Sequence, residues 1–325
     1  MTAPPSPLLS AHGAQIPALG FGTSPMTSGL SPDTVVAALH AGYRHIDTAR
    51  KYGTERAVGE AMRASGVPRG DIFLTTKVSH EYLRADAFAK SVDESLAALN
   101  VDYVDLLLVH WPNPEIPLAE TMPALAKAKE RGLARHIGVA NFNIALLDQA
   151  IKLCPEPLVA LQAEYHPYLD QSKLLAAVRQ RGMVFTAYCP LGRGRLFSDP
   201  VLAEIAKARG RSIAQIALRW LMQQNVAAIP RSSNPARIAD NFKVFDYLER
   251  RRDEAHRRAE TAERPHRQPG RAGVRRLGLD PTRPPQRIGN LKAAHCPHAV
   301  AEGVHEYSRT CPGSAGPVCN AGFAP

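Results

Sequence analysis

The chain has 325 residues, of which 45% are hydrophobic, and it carries a formal net charge of +10. The length fits one domain of about 250 residues together with a further segment. No run reaches the roughly 18 apolar residues that a membrane helix needs, and residues 1–9 lack the basic and apolar regions of a signal peptide. The five cysteines form neither a Cys-x-x-Cys pair nor a disulfide framework, so we expect a protein of the reducing cytoplasm without a membrane partner.

The positive charge is concentrated in the C-terminal part of the chain. Residues 247–325 hold 14 Lys/Arg and 8 Asp/Glu, and twelve of the arginines lie within residues 247–290 among many prolines and glycines. Such a composition cannot bury enough apolar surface to offset chain entropy, so we expect a domain at residues 1–246 and a disordered tail at 247–325. A shifted reading frame is an alternative. A basic arm that binds RNA or a membrane is another, but no aromatic residues alternate with the arginines, and we expect no nucleic-acid partner.

The pattern before residue 20 predicts a short hairpin, Leu8–Leu19, that turns at His12-Gly13. Strand and helix patterns then alternate, which indicates a parallel sheet. The predicted strands are Ala18–Thr23, Tyr43–Ile46, Ile72–Lys77, Tyr103–His110, Arg135–Ala140, Leu158–Ala163, Val184–Tyr188 and Ala227–Pro230. Eight strands are enough to close a barrel, so the sequence predicts an α/β protein, a (β/α)8 barrel whose floor the hairpin covers.

Helices can be placed between several of these strands. Ser31 and Pro32 have the pattern of an N-cap and a first helical residue. Apolar residues from Phe88 to Leu99 recur at spacings of four, four and three, which is one face of a helix. Further helical patterns lie at residues 118–131, 143–153 and 213–223.

Polar side chains stand at the C-terminal ends of three predicted strands. They are Asp47, Lys77 and His110, and Tyr52 follows Asp47 by five residues. Because the C-terminal ends of barrel strands meet at one mouth, we expect the four side chains to converge. Each alone could have a structural role, as a helix cap, a solvated lysine or a satisfied core histidine.

An acid, a phenol, an amine and an imidazole together can protonate a carbonyl oxygen. The phenol is a weak acid at neutral pH, and a nearby ammonium lowers its pKa. Asp47 would hold Lys77 in place and keep it charged. His110 would orient the carbonyl oxygen, and Tyr52 would protonate it.

A metal site formed by His45, Asp47 and His110 is an alternative interpretation. Lys77 beside such a site would repel a cation, and the sequence has no His-Glu-x-x-His motif. We therefore expect no metal.

Three motifs resemble the aldo-keto reductase family. They are Gly-Tyr-Arg-His-Ile-Asp-Thr-Ala at residues 42–49, Thr-Thr-Lys-Val at 75–78 and Leu-Val-His-Trp-Pro at 108–112. The resemblance extends from Leu8 to Asp246 and is closest to the bacterial 2,5-diketo-D-gluconate reductase group. It implies a (β/α)8 barrel, an NADPH cofactor and four catalytic residues, Asp47, Tyr52, Lys77 and His110.

The resemblance also implies that later strand ends bind the cofactor. Asn141 and Gln162 match residues that bind the nicotinamide carboxamide, whereas Ala140 stands where the family usually has Ser, so one hydrogen bond of about 1 kcal/mol is expected to be missing. Tyr188 matches an aromatic residue that stacks on nicotinamide. Two arginines and several hydroxyls at residues 231–241, ahead of a helix N-terminus, form a phosphate site that favours NADPH over NADH. The expected cofactor-binding residues are Gly22, Thr23, Asp47, Asn141, Gln162, Tyr188, Leu191, Gly192, Arg231, Ser232, Ser233, Asn234, Arg237 and Asn241.

For the substrate pocket, the resemblance implies small polar aldehydes and ketones, such as keto-sugars, 2,5-diketo-gluconate and α-dicarbonyls. The expected substrate-binding residues are Met26, His80, His110 and Trp111. The sequence thus predicts a monomeric, cytoplasmic NADP(H)-dependent carbonyl reductase. Two alternatives are an NADPH-binding barrel with a regulatory or scaffold role, and an enzyme impaired by the atypical C-terminal segment.

Overall fold

The structure is a computed structural model that describes residues 6–24 and 30–245. Met26, the expected domain boundary at residue 246 and the expectations for residues 247–325 all lie outside the described residues. In the part of the chain that the structure describes, no helix is both long and apolar enough to cross a membrane.

The N-terminal hairpin covers the barrel floor, as the sequence predicts. Its two antiparallel strands are β1 (Leu8–Ala11) and β2 (Ala14–Pro17). His12 and Gly13 between them have φ angles of 44° and 86°, the left-handed pair that a two-residue hairpin turn of type I′ requires. Ile16 is fully buried in a cluster with apolar side chains from the barrel strands, so the hairpin fills one end of the barrel interior.

Eight parallel strands follow and form one sheet in chain order. They are β3 (Phe21–Gly22), β4 (His45–Asp47), β5 (Phe73–Val78), β6 (Val104–Val109), β7 (Ala134–Ala140), β8 (Leu158–Glu164), β9 (Val184–Tyr188) and β10 (Ala227–Ala228). The last strand returns to the first, since the Gly20 N–H donates to the Ala228 carbonyl at 2.8 Å and the Ala228 N–H donates to the Ala18 carbonyl at 2.8 Å. The predicted (β/α)8 barrel is confirmed.

Side chains alternate between two apolar regions along the strands, one inside the barrel and one between the strands and the helices. In β6, Leu106 and Leu108 pack with the hairpin inside the barrel, whereas Leu107 and Val109 pack in the cluster that includes the helices. Because both faces of β6 are covered, its sequence is almost continuously apolar.

Helices connect the strands on the outside of the barrel. In the described residues they are α1 (Pro32–His40), α2 (Glu55–Ala64), α3 (Ala85–Leu99), α4 (Leu118–Glu130), α5 (Ile144–Leu153), α6 (Ser172–Gln180), α7 (Pro200–Arg209), α8 (Ile213–Met222) and α9 (Pro235–Phe242). The side chain of Ser31 accepts a hydrogen bond from the Asp33 N–H and caps α1 as predicted. The predicted apolar face from Phe88 to Leu99 is buried in α3.

The contact between α2 and α3 depends on Gly59. A Cβ atom at this position would overlap the carbonyl oxygen of Leu99 at the end of α3. We expect Gly59→Ala to lower the free energy of unfolding by about 1–3 kcal/mol, because overpacking forces the helices apart. Urea denaturation measures the change, with Gly70→Ala as the matched control, since a Cβ there meets no atom within 4 Å. A Gly59→Ala variant as stable as the parent would contradict the close approach.

Candidate active site

The strand ends β4, β5 and β6 bring the four predicted side chains to the mouth of the barrel. Asp47 ends β4, Lys77 lies near the end of β5, and His110 directly follows β6. Tyr52 lies in a short 3₁₀ turn, Arg50–Tyr52, that follows β4. Asp47 and Lys77 are buried, with 1% and 0% of their surface exposed.

Asp47 and Lys77 form a buried ion pair. The Lys77 Nζ donates to Asp47 Oδ1 at 2.6 Å and to the backbone carbonyl of Thr48 at 2.8 Å. Gln162 Nε2 donates to the other carboxylate oxygen, Oδ2, at 2.8 Å. Burial alone would lower the pKa of Lys77, but the charge of Asp47 and the neighbouring Tyr52 outweigh it, and the net pKa is raised. The ammonium is therefore charged at neutral pH.

Tyr52 lies between Lys77 and His110. The Lys77 Nζ lies 5.2 Å from the centroid of the phenol ring, and the His110 ring packs edge-on at 5.5 Å between centroids. Burial raises the pKa of Tyr52, and this effect exceeds the lowering by the Lys77 charge. The Lys77 charge lowers the pKa of Tyr52 as the sequence led us to expect, but the pKa is raised on balance. The phenol is therefore protonated at neutral pH.

His110 is a neutral imidazole. Burial, followed by the positive charges of Lys77 and Lys51, lowers the pKa of His110 to about 3. Its Nδ1 is buried and has no hydrogen-bond partner among residues 6–24 and 30–245. A neutral imidazole at the mouth can donate or accept a hydrogen bond, so His110 can serve as a polar partner for a ligand.

A hydrogen-bonded chain joins three strand ends beside His110. Asn141 Nδ2 donates to the backbone carbonyl of His110 at 2.9 Å, and the Tyr188 hydroxyl donates to Asn141 Oδ1 at 2.9 Å. Asn141 has a φ of 64°, in the left-handed region that asparagine tolerates better than most residues. The neighbouring Ala140 is fully buried and presents a methyl group where the resemblance implies a hydroxyl.

Four of the expected cofactor-binding residues, Gly22, Thr23, Leu191 and Gly192, lie at β3 and in the loop after β9. A Cβ at Gly22 would stand 2.9 Å from the Ile229 carbonyl oxygen, and the Thr23 hydroxyl donates to the backbone carbonyl of Asp47 at 3.0 Å. Leu191 and Gly192 belong to consecutive tight turns, in which the Gly192 N–H donates to the Cys189 carbonyl at 2.9 Å. The backbone thus lies close to the mouth at both places.

The expected phosphate clamp surrounds the N-terminus of α9. Asn234 caps the helix by accepting hydrogen bonds from the backbone N–H groups of Ala236 and Arg237 at 2.9 and 3.3 Å. Arg231 donates to the backbone carbonyl of Ser24, and the Ser232 hydroxyl accepts from the Asn234 N–H at 3.1 Å. The remaining expected residues, the exposed Ser233 and Arg237 and the buried Asn241, lie on the same segment. A helix N-terminus beside two arginines favours an anion.

The substrate side of the mouth has a polar rim. His80 lies in the 3₁₀ turn His80–Tyr82 after β5, with Nδ1 3.4 Å from the Glu81 carboxylate. Trp111 is 37% exposed next to His110. Sequence reasoning missed Lys51, which pairs with Glu81 at 3.1 Å and acts on His110. Its position directly before Tyr52 was the available signal.

The position of His45 does not fit the alternative of a metal site formed by His45, Asp47 and His110. Its Nε2 lies 3.1 Å from the Thr75 hydroxyl and its Nδ1 3.4 Å from the Pro17 carbonyl, below the mouth. Across the described residues, no group of three or more His, Cys, Asp or Glu side chains could hold a metal ion.

The donor set at the mouth fits a nicotinamide dinucleotide. The amides of Asn141 and Gln162 suit a polar aromatic amide, and the α9 N-terminus suits a phosphate. The residues present are therefore compatible with the cofactor that the sequence implies.

Known proteins share this sequence and fold. The model of the Aldo/keto reductase family matches residues 18–260. An aldo-keto reductase of Mycolicibacterium vanbaalenii is 43% identical over 233 residues, which cover 71% of this chain and 84% of the relative. The methylglyoxal reductase DkgB of Escherichia coli O157:H7 is 41% identical over 232 residues, which cover 70% of this chain and 87% of the relative.

A solved structure gives the same result. The crystal structure of a protein provisionally named 2,5-diketo-D-gluconic acid reductase B is similar to this chain with a TM-score of 0.70 and 46% sequence identity. The alignment covers 76% of this chain and 86% of that chain. Because the family match includes all eight barrel strands, this chain belongs to the aldo/keto reductase family.

Proposed function

We propose that the chain is an NADPH-dependent oxidoreductase that reduces small polar aldehydes and ketones to alcohols, with Tyr52 as the proton donor. The observation that carries the proposal is the arrangement at the mouth. There, a protonated phenol lies beside a buried, charged lysine and a neutral imidazole.

Each of the four side chains has a separate task in this reaction. His110 donates a hydrogen bond to the carbonyl oxygen and orients it, which a neutral imidazole can do. Tyr52 transfers its proton to that oxygen as negative charge develops. Lys77 stabilises the phenolate that remains, and Asp47 keeps Lys77 charged and in place. The bound cofactor supplies the hydride that reduces the carbonyl carbon.

The residues that would hold the cofactor extend from β3 to α9. Asn141 and Gln162 would bind the carboxamide, and Tyr188 would pack on the nicotinamide ring. Backbone groups near Gly22, Thr23, Leu191 and Gly192 would approach the pyrophosphate. Arg231, Ser232, Ser233, Asn234, Arg237 and Asn241 would surround the adenosine phosphate, and their charge is the reason for proposing NADPH rather than NADH.

Cofactor choice can be tested at Arg237. We expect Arg237→Ala to weaken NADPH binding by about 1.5–3 kcal/mol, because a charge-assisted contact to the 2′-phosphate is lost, and to leave NADH binding nearly unchanged. Quenching of protein fluorescence measures both affinities. Arg209→Ala, an exposed arginine at the end of α7, is the control. Equal weakening for both cofactors would show that Arg237 does not contact the 2′-phosphate.

The substrate class follows from the rim and from the relatives. Lys51, His80 and Glu81 make one side of the mouth polar, and Trp111 provides an apolar wall. Similar proteins are named for methylglyoxal, an α-dicarbonyl, and for 2,5-diketo-D-gluconic acid. We therefore propose keto-sugars, 2,5-diketo-gluconate and α-dicarbonyls as substrates.

A turnover screen tests this substrate class. NADPH absorbance is followed with purified protein and a panel that contains methylglyoxal, 2,5-diketo-gluconate and apolar aldehydes such as benzaldehyde. We expect higher kcat/KM for the polar compounds. A consistent preference for apolar aldehydes would contradict the proposed substrate class without affecting the proposed chemistry.

The setting of the enzyme is part of the proposal. We propose a monomer in the cytoplasm, and the free thiols of Cys154 and Cys189 are compatible with a reducing compartment.

A further inference from the structure

Strand β8 carries a carboxylate to the rim of the mouth, one pleat beyond Gln162. Glu164 ends the strand and lies opposite Tyr188 in the register with β9. Successive residues on one strand face are two positions apart, so Glu164 shares the face of Gln162, which contacts Asp47. Its carboxylate binds two donors: His166 Nε2 lies 3.3 Å from Oε1, and the Arg193 guanidinium lies 3.4 Å from Oε2.

The ring of His166 is held in one orientation beneath the loop after β9. His166 is 1% exposed, and its Nδ1 accepts the backbone N–H of Tyr168 at 3.2 Å. That bond leaves the proton on Nε2, which donates to Glu164. The Cγ of His166 would lie 3.7 Å from a Cβ at Gly192, so the ring packs against this loop. The hydrogen bond from His166, followed by the charge of Arg193, lowers the pKa of Glu164 and keeps it ionised.

The loop after β9, residues 189–194, has a strained backbone that needs support from neighbouring residues. Cys189 and Arg193 have φ angles of 48° and 55°, which are unfavourable for side chains with a Cβ. Gly192 and Gly194, at 57° and 92°, accept the same region without strain. Because two non-glycine residues are held there, contacts from outside the loop must support it. The ion pair from Glu164 to Arg193 is such a contact.

We propose that Glu164 and His166 are positioning residues that hold the loop 189–194 in its cofactor-binding conformation by anchoring Arg193. This inference rests on the proposed binding of NADPH by the same loop. Neither residue has to touch the cofactor.

The direction in which Glu164→Gln changes NADPH affinity shows whether Glu164 anchors the loop or only repels the cofactor. A carboxylate near a pyrophosphate repels it, so removing the charge alone would strengthen NADPH binding. Glu164→Gln keeps the size of the side chain and an oxygen that accepts from His166, but it loses the ion pair with Arg193. As an anchor is lost, we expect the Kd for NADPH to rise about three- to fivefold.

A double-mutant cycle tests whether Glu164 affects NADPH affinity through its contact with Arg193. We expect Arg193→Ala to raise the Kd at least as much as Glu164→Gln, because Arg193 also contacts Cys189 in the same loop. The double variant should be no weaker than Arg193→Ala alone, because the contact with Glu164 is then already lost. If Arg193 instead contacts the phosphate directly, the two losses add, or Glu164→Gln binds more tightly, and the proposal is overturned. Steady-state kinetics should show a rise in KM for NADPH that exceeds any change in kcat. Glu204→Gln and Arg209→Ala, both exposed on α7, are the matched controls.

A second readout needs no cofactor. Arg195 is exposed in the segment directly after the anchored loop, so tryptic cleavage after Arg195 reports how well the loop is held. We expect faster cleavage in Glu164→Gln than in the parent, with equal urea midpoints to show that the barrel remains folded. Unchanged cleavage would overturn the anchor. A parent protein that does not quench with NADPH would refute the proposed function instead, and the cleavage rates would still decide on the anchor.

Discussion

Tyr52→Phe is expected to lower the rate of carbonyl reduction by about 10²-fold or more and to leave NADPH binding intact. The variant keeps the ring that packs edge-on against His110 and removes only the hydroxyl. Because burial raises the pKa of Tyr52, the hydroxyl carries a proton at neutral pH, and its loss removes the acid from the mouth. The kcat is measured from NADPH absorbance and the Kd from fluorescence quenching.

Tyr103→Phe is the control for the loss of a phenolic hydroxyl elsewhere. Tyr103 precedes β6 at the opposite end of the strand, where its hydroxyl accepts a hydrogen bond from Arg135 at 2.7 Å. We expect this variant to retain normal turnover. Near-normal turnover in Tyr52→Phe would remove Tyr52 from the mechanism.

Lys77→Met is expected to destabilise the protein by about 3–5 kcal/mol, in addition to its effect on turnover. Among residues 6–24 and 30–245, the substitution leaves the buried Asp47 carboxylate with the Gln162 amide and no compensating charge. Asp47→Asn is expected to be destabilising for the converse reason, since the Lys77 ammonium is fully buried. Urea denaturation measures both changes.

The double variant Asp47→Asn, Lys77→Met separates the ion pair from the shape of the site. With both charges removed, no unpaired charge remains buried, so we expect it to be more stable than the sum of the single losses implies. Its turnover should remain low, because the ammonium beside Tyr52 is absent. Additive losses of stability would mean that the two charges do not depend on each other.

The fold could be predicted from the sequence because strand segments rich in apolar residues alternate with helical patterns. The hairpin turn was visible because glycine favours the left-handed conformation that Gly13 adopts. Three helices, α2, α6 and α7, were not predicted from the sequence. The position of α2 depends on Gly59 and its contact with Leu99, and α7 buries few residues, such as Leu202 and Ala206. A weak apolar pattern gives little periodicity to detect.

The convergence of the four side chains could be predicted from the rule that barrel strands carry polar residues at their C-terminal ends. The net pKa shift of Tyr52 could not, because the charge of Lys77 is visible in the sequence and the burial of the phenol is not. Contacts between residues far apart in the chain were also hidden, such as the bond from Gln162 to Asp47 and the ion pair of Glu164 with Arg193.

Isotopic labelling can follow the hydride from the cofactor to the carbonyl carbon. The purified chain is incubated with methylglyoxal and NADPH that carries deuterium at both C4 positions, and the product is examined by mass spectrometry. We expect an alcohol with one deuterium on the former carbonyl carbon, and a rate at least about 10²-fold lower for Tyr52→Phe. Recovery of unreduced methylglyoxal, or of an alcohol without deuterium, would contradict it.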